Sequence, residues 1–475
     1  MLSYRKLAMR VLGRPFHTGR IDSPRPASQR AAAFILTAAM LTTLAAPAFA
    51  DIWHIENGDI TISAGESGNN VTQNNNTTYG DNTNTIITNQ NKDTASSHTV
   101  TIEAKDKDDK VEVTLKDVNI DTSSRNKAAV SVTGEGDTNI KLDGDNALKS
   151  DIYRSGIYGS GSLTISGGEN DSLTAQGGSG ANGISSSGSL TISGGTVTAN
   201  GDDGGRGISN GGSGTISGGD GICSSGGVTI SGGSTVTANG GNGGSLVGGD
   251  GIRSGGGLTV SDGTVTAKGG NGDSKDGYGG DGIRSGGVTI SGGTVNAAGG
   301  NGGKVGGYGI CSFARVAISG GTVEAAGGNG STGGGSGIYS SVIDLSGSLE
   351  LTAKAGSPNG KALSQKGSEL VLDTIKDKLG PGAKVTATDA DGKVIDQVST
   401  PRPVEPEESS SSSDGGSATP SAPASPLPGL TVTDKDGQRI SYTSTQSGNT
   451  LTVCVGRLTA SLRASLATLR QLRAE

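Results

Sequence analysis

Residues 282–303 of this chain read Gly-Ile-Arg-Ser-Gly-Gly-Val-Thr-Ile-Ser-Gly-Gly-Thr-Val-Asn-Ala-Ala-Gly-Gly-Asn-Gly-Gly. Close copies of this segment follow one another from Gly156 to Leu351, mostly at intervals of about 27 to 31 residues. A period of this length indicates one supersecondary unit that is stacked on copies of itself. The repeat therefore predicts a solenoid.

Each copy holds three short segments in which apolar and polar residues alternate, as strands require. In the copy from Gly251 to Ala267, the first inward-facing residues of the three segments are Ile252, Leu258 and Val265. Thr and Ser residues alternate with the inward residues and face outward. The Gly-Gly pairs that follow Ile-Ser and Val-Thr-Ala are predicted to form corners, because glycine adopts positive φ at little cost. The sequence thus predicts an all-β fold, a three-sided parallel β-solenoid.

One isoleucine after each glycine marks the successive coils: Ile157, Ile184, Ile208, Ile222, Ile252, Ile283, Ile310 and Ile338. The interval from Ile208 to Ile222 is only 14 residues and lacks the Thr-Val-Thr-Ala segment. Either a side is missing there or the coil is distorted.

The regions outside the clean repeats differ in composition. Basic residues, an apolar run and Ala48-Phe-Ala50 predict a signal peptide over residues 1–50, and the apolar run is shorter than the ~20 residues of a membrane span. Residues 51–110 are expected to form an N-terminal β cap with Trp53, residues 111–399 the parallel β-helix, and residues 400–429 a Pro/Ser-rich linker. Residues 430–475 combine a short β-like piece with an Arg/Leu-rich tail, either an amphipathic helix or a frameshifted terminus.

The charge of the chain restricts its partners. The predicted leader removes seven of the 38 Lys and Arg residues and one of the 45 Asp and Glu residues, which leaves a net charge of −13. An acidic chain argues against nucleic acid as a partner and suits metal cations or neutral surfaces.

Two cysteines, Cys223 and Cys311, occupy the same position after Gly-Ile, where Arg253 and Arg284 stand in the coils between them. Stacked strands lie ~4.8 Å apart, so three coils separate these sulfurs by about 14 Å, beyond disulfide reach. Both thiols are predicted to be free.

Four asparagines recur six residues after the valine of each Thr-Val segment: Asn242, Asn271, Asn301 and Asn329. In register, their side-chain amides are expected to hydrogen-bond along a stabilising column. Contact with a ligand is the alternative.

Three carboxylates directly precede Gly-Ile: Asp220, Asp250 and Asp281. Carboxylates stacked at coil spacing repel one another unless they are neutralised. Arg253 and Arg284, each three residues after an aspartate, supply one means, and the expectation is then a solvated, partly arginine-paired face. A calcium ion bound by Asp220, Asp250 and Asp281 is the other.

Candidates for catalysis are few. After the leader, the histidines are His54 and His98, outside the repeats, so no nucleophile and histidine pair is indicated. The carboxylates and arginines of the repeats recur at the same repeat position in successive coils, whereas a catalytic residue usually occurs once on its scaffold. The sequence therefore favours a protein that is not an enzyme, with a polysaccharide lyase as the enzyme class kept as an alternative.

The run from Val288 to Gly303, together with Val111 to Ser150 and its Val-Thr-Leu-Lys-Asp-Val-Asn-Ile-Asp, resembles a family of secreted bacterial right-handed parallel β-helix proteins, the carbohydrate-binding domain-containing proteins. The resemblance covers roughly residues 55–375. It implies a single-stranded right-handed β-helix, a secreted or cell-surface location, and similarity to modules that bind acidic, pectin-like glycans with calcium.

The leading hypothesis is therefore a secreted or cell-surface, non-catalytic protein that binds a pectin-like or host cell-surface polysaccharide, with no required cofactor and calcium as an optional one. The ligand-binding residues that this hypothesis names are Asp250, Arg253, Tyr278, Asp281, Arg284 and Tyr308. The alternatives are a structural adhesin or surface spacer and a β-helical polysaccharide lyase.

Overall fold

The computed structural model describes residues 51–81, 84–204, 206–209, 212–215, 217–244, 247–272, 275–401, 430–433, 442–447, 450–455 and 461–464. The predicted signal peptide, and all but the first two residues of the predicted linker, lie outside the described residues. The chain divides into two units, Met1–Pro403 and Val404–Glu475.

The first unit is a parallel β-helix of about ten coils, as the repeat predicts. Its strands form three parallel columns, which we call the first, second and third sides. The first side contains the strands that begin at the isoleucine of each Gly-Ile, and it extends beyond the clean repeats in both directions. Its strands are Ile60–Gly65, Val100–Ala104, Val130–Gly134, Ile157–Gly159, Ile184–Ser186, Ile222–Ser224, Ile252–Ser254, Ile283–Ser285 and Leu363–Gln365.

The Leu-Thr-Ile and Thr-Val-Thr-Ala segments supply the other two sides. The strands of the second side are Ile52–His54, Asn84–Thr88, Lys110–Lys116, Asp137–Asp143, Ser162–Ser166, Leu190–Ile192, Val228–Ile230, Leu258–Val260 and Val288–Ile290. The strands of the third side are Asn119–Asp121, Asp145–Lys149, Ser172–Gln176, Thr196–Asn200, Thr235–Asn239, Thr264–Lys268, Thr294–Ala298 and Lys384–Thr388. Two long strands, Ile310–Ala326 and Ile338–Lys354, pass through all three sides.

The core is the stack of inward residues that the alternation predicts. Ile252 pairs with Ile283 and Val265 with Val295 in exact register, and these side chains are fully buried. Each coil contributes only about five small apolar side chains, so one coil alone cannot offset the entropy of ordering its backbone. Burial between coils and the hydrogen bonds of the three sheets together stabilise the fold.

Antiparallel strands close both ends of the stack. At the N-terminal end, Gly68–Gln73 pairs with Ile60–Gly65 and with Asn76–Asp81. At the C-terminal end, Ser368–Glu369 and Val394–Ser399 add antiparallel strands. The helices of the described residues are two 3-10 turns, Ile55–Asn57 and Leu372–Lys378, and neither is long and apolar enough to cross a membrane.

The short interval before Ile222 is an insertion, so Ile208 does not mark a coil. Ile184 pairs directly with Ile222. Between them, Arg206–Ser209 and Gly212–Thr215 form a separate antiparallel hairpin. Because this segment has no Thr-Val-Thr-Ala strand, it cannot complete a third side, and the stack continues without it.

The two kinds of Gly-Gly pair have different roles. Glycines after Ile-Ser do form corners with positive φ, as Gly233 (68°) and Gly293 (75°) show. Glycines after Val-x-Ala lack positive φ, so the predicted conformational reason for glycine is wrong at these positions. They are needed for close backbone packing instead.

The tightly packed glycines form two rows. The exit row follows the Val-x-Ala strands and contains Gly241, Gly270, Gly300 and Gly328. The entry row lies two residues before the glycine of each Gly-Ile and contains Gly219, Gly249, Gly280, Gly307 and Gly335. Backbone N–H groups donate alternately from one row to the other; Gly270 donates to Gly249, Gly280 to Gly270, and Gly300 to Gly280, each at 2.8 Å. The loop that bears each recurring asparagine lies between the two rows of its coil.

The second unit contains two antiparallel pairs, Leu430–Thr433 with Ser461–Ala464 and Tyr442–Ser447 with Thr450–Val455. Leu462 and Arg463 of the Arg/Leu-rich tail therefore lie in a strand, which contradicts the amphipathic-helix alternative at these residues. The rest of that tail lies outside the described residues.

Candidate functional site

A column of outward-facing side chains follows the first side at the position after each isoleucine. Residues in parallel register there are Cys223, Arg253, Arg284, Cys311 and Tyr339. Cys223 and Cys311 are free. Burial, helped by the charge of a neighbouring aspartate, raises the pKa of each thiol to about 12, so neither is a nucleophilic thiolate near neutral pH.

A second column lies at the position before each Gly-Ile and contains the three aspartates. They are buried, with Asp250 and Asp281 each 1% exposed, so the expected solvated face is wrong. One carboxylate oxygen of each accepts the backbone N–H one coil further on: Asp250 donates to Asp220 Oδ1 and Asp281 to Asp250 Oδ1, both at 2.7 Å. Asn182 begins this column, since its Oδ1 accepts the N–H of Asp220.

The arginines bind the other carboxylate oxygens and bridge consecutive coils. Arg253 places Nε 2.8 Å from Asp220 Oδ2 and Nη2 2.8 Å from Asp250 Oδ2. Arg284 places Nε 3.1 Å from Asp250 Oδ2 and Nη2 2.8 Å from Asp281 Oδ2. We call these five residues the Asp-Arg ladder.

The ladder ends with one carboxylate more than it has guanidinium groups. Burial, followed by the charges of Asp281 and Asp220, raises the pKa of Asp250 to about 7, although Arg253 and Arg284 oppose the rise. Burial also raises the pKa of Asp281. The contact of Asp281 Oδ2 with Arg284 lacks hydrogen-bond geometry, which leaves this last carboxylate the least satisfied of the three.

Calcium does not fit the ladder as it stands. Arginine nitrogens or backbone N–H groups already contact the carboxylate oxygens, and a cation would have to displace a guanidinium group. Elsewhere among the described residues, no group of three or more His, Cys, Asp or Glu side chains is arranged to hold a metal ion.

Beyond Asp281 the two columns continue as an aromatic cluster. Tyr308 occupies the aspartate position, and its N–H donates to Asp281 Oδ1 at 2.8 Å. Its ring stacks on Tyr339, with 5.0 Å between centroids and 19° between planes. Phe313 is 65% exposed, and the guanidinium carbon of Arg284 lies 5.9 Å from its ring centroid. The Tyr308 and Tyr339 stack thus takes the place of one aspartate and arginine pair.

Five of the six residues predicted to bind ligand therefore meet here, and Tyr278 does not. Tyr278 lies in the loop beyond the glycine rows, bridged to Val247 and Val305, with Lys304 Nζ 5.6 Å from its ring centroid. The sequence groups Phe313 and Tyr339 with Tyr308 on neighbouring coils, but neither was among the predicted ligand-binding residues. Tyr339 could have been found from its repeat position directly after Ile338, and Phe313 from its place two residues after Cys311.

The four asparagines form a ladder of a different kind from the expected one. The Oδ1 of Asn242, Asn271 and Asn301 accepts the backbone N–H of the next asparagine in the column, at 2.8 to 2.9 Å. Side-chain to backbone bonding replaces the expected bonding between amides. Asn329 extends the ladder to the N–H of Ser357.

Comparisons with family models, with curated proteins and with solved structures return no match to this chain. The functional interpretation therefore depends on the surface chemistry of the β-helix.

Proposed function

We propose that this chain is a secreted or cell-surface, non-catalytic polysaccharide-binding protein, and that glycan lies along the first side across the Asp-Arg ladder and the aromatic cluster. The observation that carries the proposal is a pair of guanidinium groups, each fixed by two buried carboxylates, of which Arg284 lies beside the exposed ring of Phe313.

This combination suits a sugar polymer. An aromatic face packs against the apolar face of a sugar ring, while arginine donors bind hydroxyl or carboxylate oxygens. Because Arg253 and Arg284 repeat at coil spacing, they present the same donors to successive parts of one extended ligand. Their side chains remain 45% and 32% exposed despite the ion pairs.

Phe313 offers the sharpest test, because its exposed ring can be removed without opening the core. We expect Phe313→Ala to weaken retention of the full chain on insoluble pectic or cell-surface glycans by about two- to tenfold, the worth of one aromatic contact. Tyr79→Ala is the matched control, since Tyr79 is 79% exposed on the N-terminal cap. Equal retention of the two variants, or no retention of the parent chain, would contradict the proposal.

The same assay in chelator separates the arginine-based site from a calcium-based one. The ladder geometry predicts that retention persists, whereas its loss would favour calcium-assisted binding. New unsaturated ends that absorb ultraviolet light after incubation with polygalacturonate would favour the lyase alternative and contradict the non-catalytic part of the proposal.

A further inference from the structure

A cleft of about 480 Å³ opens on the first side, in the coils that directly precede the Asp-Arg ladder. Outward residues of successive first-side strands line it: Thr101, Ser131, Tyr158 and Ser185. Two chain segments that precede first-side strands add further lining, Asn126 to Ala128 and Tyr153 to Ser155.

The charged residues that line the cleft, Lys127 and Arg154, are both cations. Lys127 Nζ lies 3.0 Å from Asp59 Oδ2, but Asp59 is shared with Arg125, whose Nη1 lies 2.8 Å from Oδ1. Lys127, Arg125 and Asp59 together therefore carry a net charge of +1. Arg154 hydrogen-bonds through Nε to the neutral Asn126 Oδ1 at 3.3 Å, and it forms no ion pair with any described residue.

Two exposed tyrosines complete the lining. Tyr158 is 44% exposed and Tyr153 is 58% exposed. Tyr153 has φ of 60°, a left-handed conformation that bulky residues rarely adopt. Asn126 lies 27 residues earlier, the interval between paired Val130 and Ile157, and has φ of 52°. Asparagine tolerates the left-handed conformation better than tyrosine does, so backbone preference does not explain Tyr153. Packing does not explain it either, since most of its side chain is exposed.

We propose that this cleft binds an acidic sugar unit of a polysaccharide, with its carboxylate bound by Arg154 and Lys127 and its ring packed on Tyr153 and Tyr158. An unpaired guanidinium group supplies the planar donors that carboxylates prefer, and the tyrosines supply apolar faces with polar edges. The inference rests on the proposed function and adds to it a second site that selects for negative charge without calcium.

Titration calorimetry on the full chain in chelator tests the cleft. The probes are a galacturonate trimer, its methyl ester and a neutral galactose trimer. We expect the acidic trimer to bind at least about tenfold more tightly than the other two, and Arg154→Gln to remove about tenfold of that affinity, the worth of one charge-assisted hydrogen bond. Tyr153→Gly should weaken binding while keeping the melting temperature, because glycine accepts the left-handed backbone.

Lys141→Gln is the matched control, since Lys141 is an exposed lysine on the second side. The inference is overturned if Arg154→Gln and Lys141→Gln bind alike, if the ester binds as well as the acid, or if inorganic sulfate displaces the trimer at equal concentration. The parent chain can be retained on glycan in a Phe313-dependent manner and still fail to bind the acidic trimer. That result overturns the proposed cleft site alone and leaves the proposed function intact.

Discussion

Replacing Gly280 with alanine should break the hydrogen-bonded rows of glycine that lie beside the first side. A Cβ at Gly280 would overlap the carbonyl oxygen of Gly249 and approach that of Gly248 to 2.8 Å, a distance that Cβ atoms essentially never show. Both neighbours are backbone atoms of the preceding coil, so no side-chain movement can relieve the overlap, and the two coils must move apart at this point.

The expected cost follows from the bonds at this position. The N–H of Gly280 donates to Gly270, and its carbonyl accepts from Gly300, both at 2.8 Å. Losing both hydrogen bonds costs about 2 kcal/mol, and forcing atoms into a packed region adds about 1 to 3 kcal/mol. We therefore expect Gly280→Ala to lower the free energy of unfolding by about 3 to 5 kcal/mol.

Gly287→Ala in the same coil is the control, because the nearest atom to its Cβ would be Arg315 O at 3.8 Å. That change should alter stability by less than about 1 kcal/mol, the usual effect of alanine at a compatible glycine. Urea unfolding followed by circular dichroism measures both variants. If their free energies of unfolding agree within 1 kcal/mol, the reasoning about close backbone packing is wrong.

Two further predictions concern the ladder and the insertion. Burial raises the pKa of Asp250 to about 7, so the folded chain binds more protons than the unfolded chain between about pH 4 and 7. The free energy of unfolding contributed by Asp250 should therefore fall as pH rises through this range, by up to about 1.4 kcal/mol per pH unit. Cys311→Arg places a third guanidinium group beside the ladder and should flatten this dependence in urea unfolding at pH 5 to 8; an unchanged slope would count against the electrostatic account. Deleting residues 206–215 should leave the melting temperature within a few degrees of the parent, because Ile184 and Ile222 already pair without them, and a large drop would show that the hairpin supports the stack.

Much of the candidate site was accessible from sequence because its residues occupy repeat positions. Arg253 and Arg284 share the repeat position after Gly-Ile and were predicted to lie in one column. Asp250 and Asp281 share the position before Gly-Ile and were predicted to lie in another. Their burial was not accessible, since it depends on how closely the neighbouring coils and the glycine rows approach. Tyr278 illustrates the same limit: three residues from Asp281 in sequence, it lies in the loop beyond the entry row and contacts Lys304.

Strand alternation and repetition are local properties, so the repeats were sufficient to predict the period of the coil, the inward set of isoleucine, valine and alanine, and the residues that share each outward column. Packing between coils was needed to show that the segment around Ile208 forms a separate hairpin, that the aspartates are buried beside arginines, and that the glycines after Val-x-Ala serve close backbone packing. Each of these features depends on contacts between residues about 30 positions apart, such as Gly249 with Gly280, which exist only once the coils are stacked.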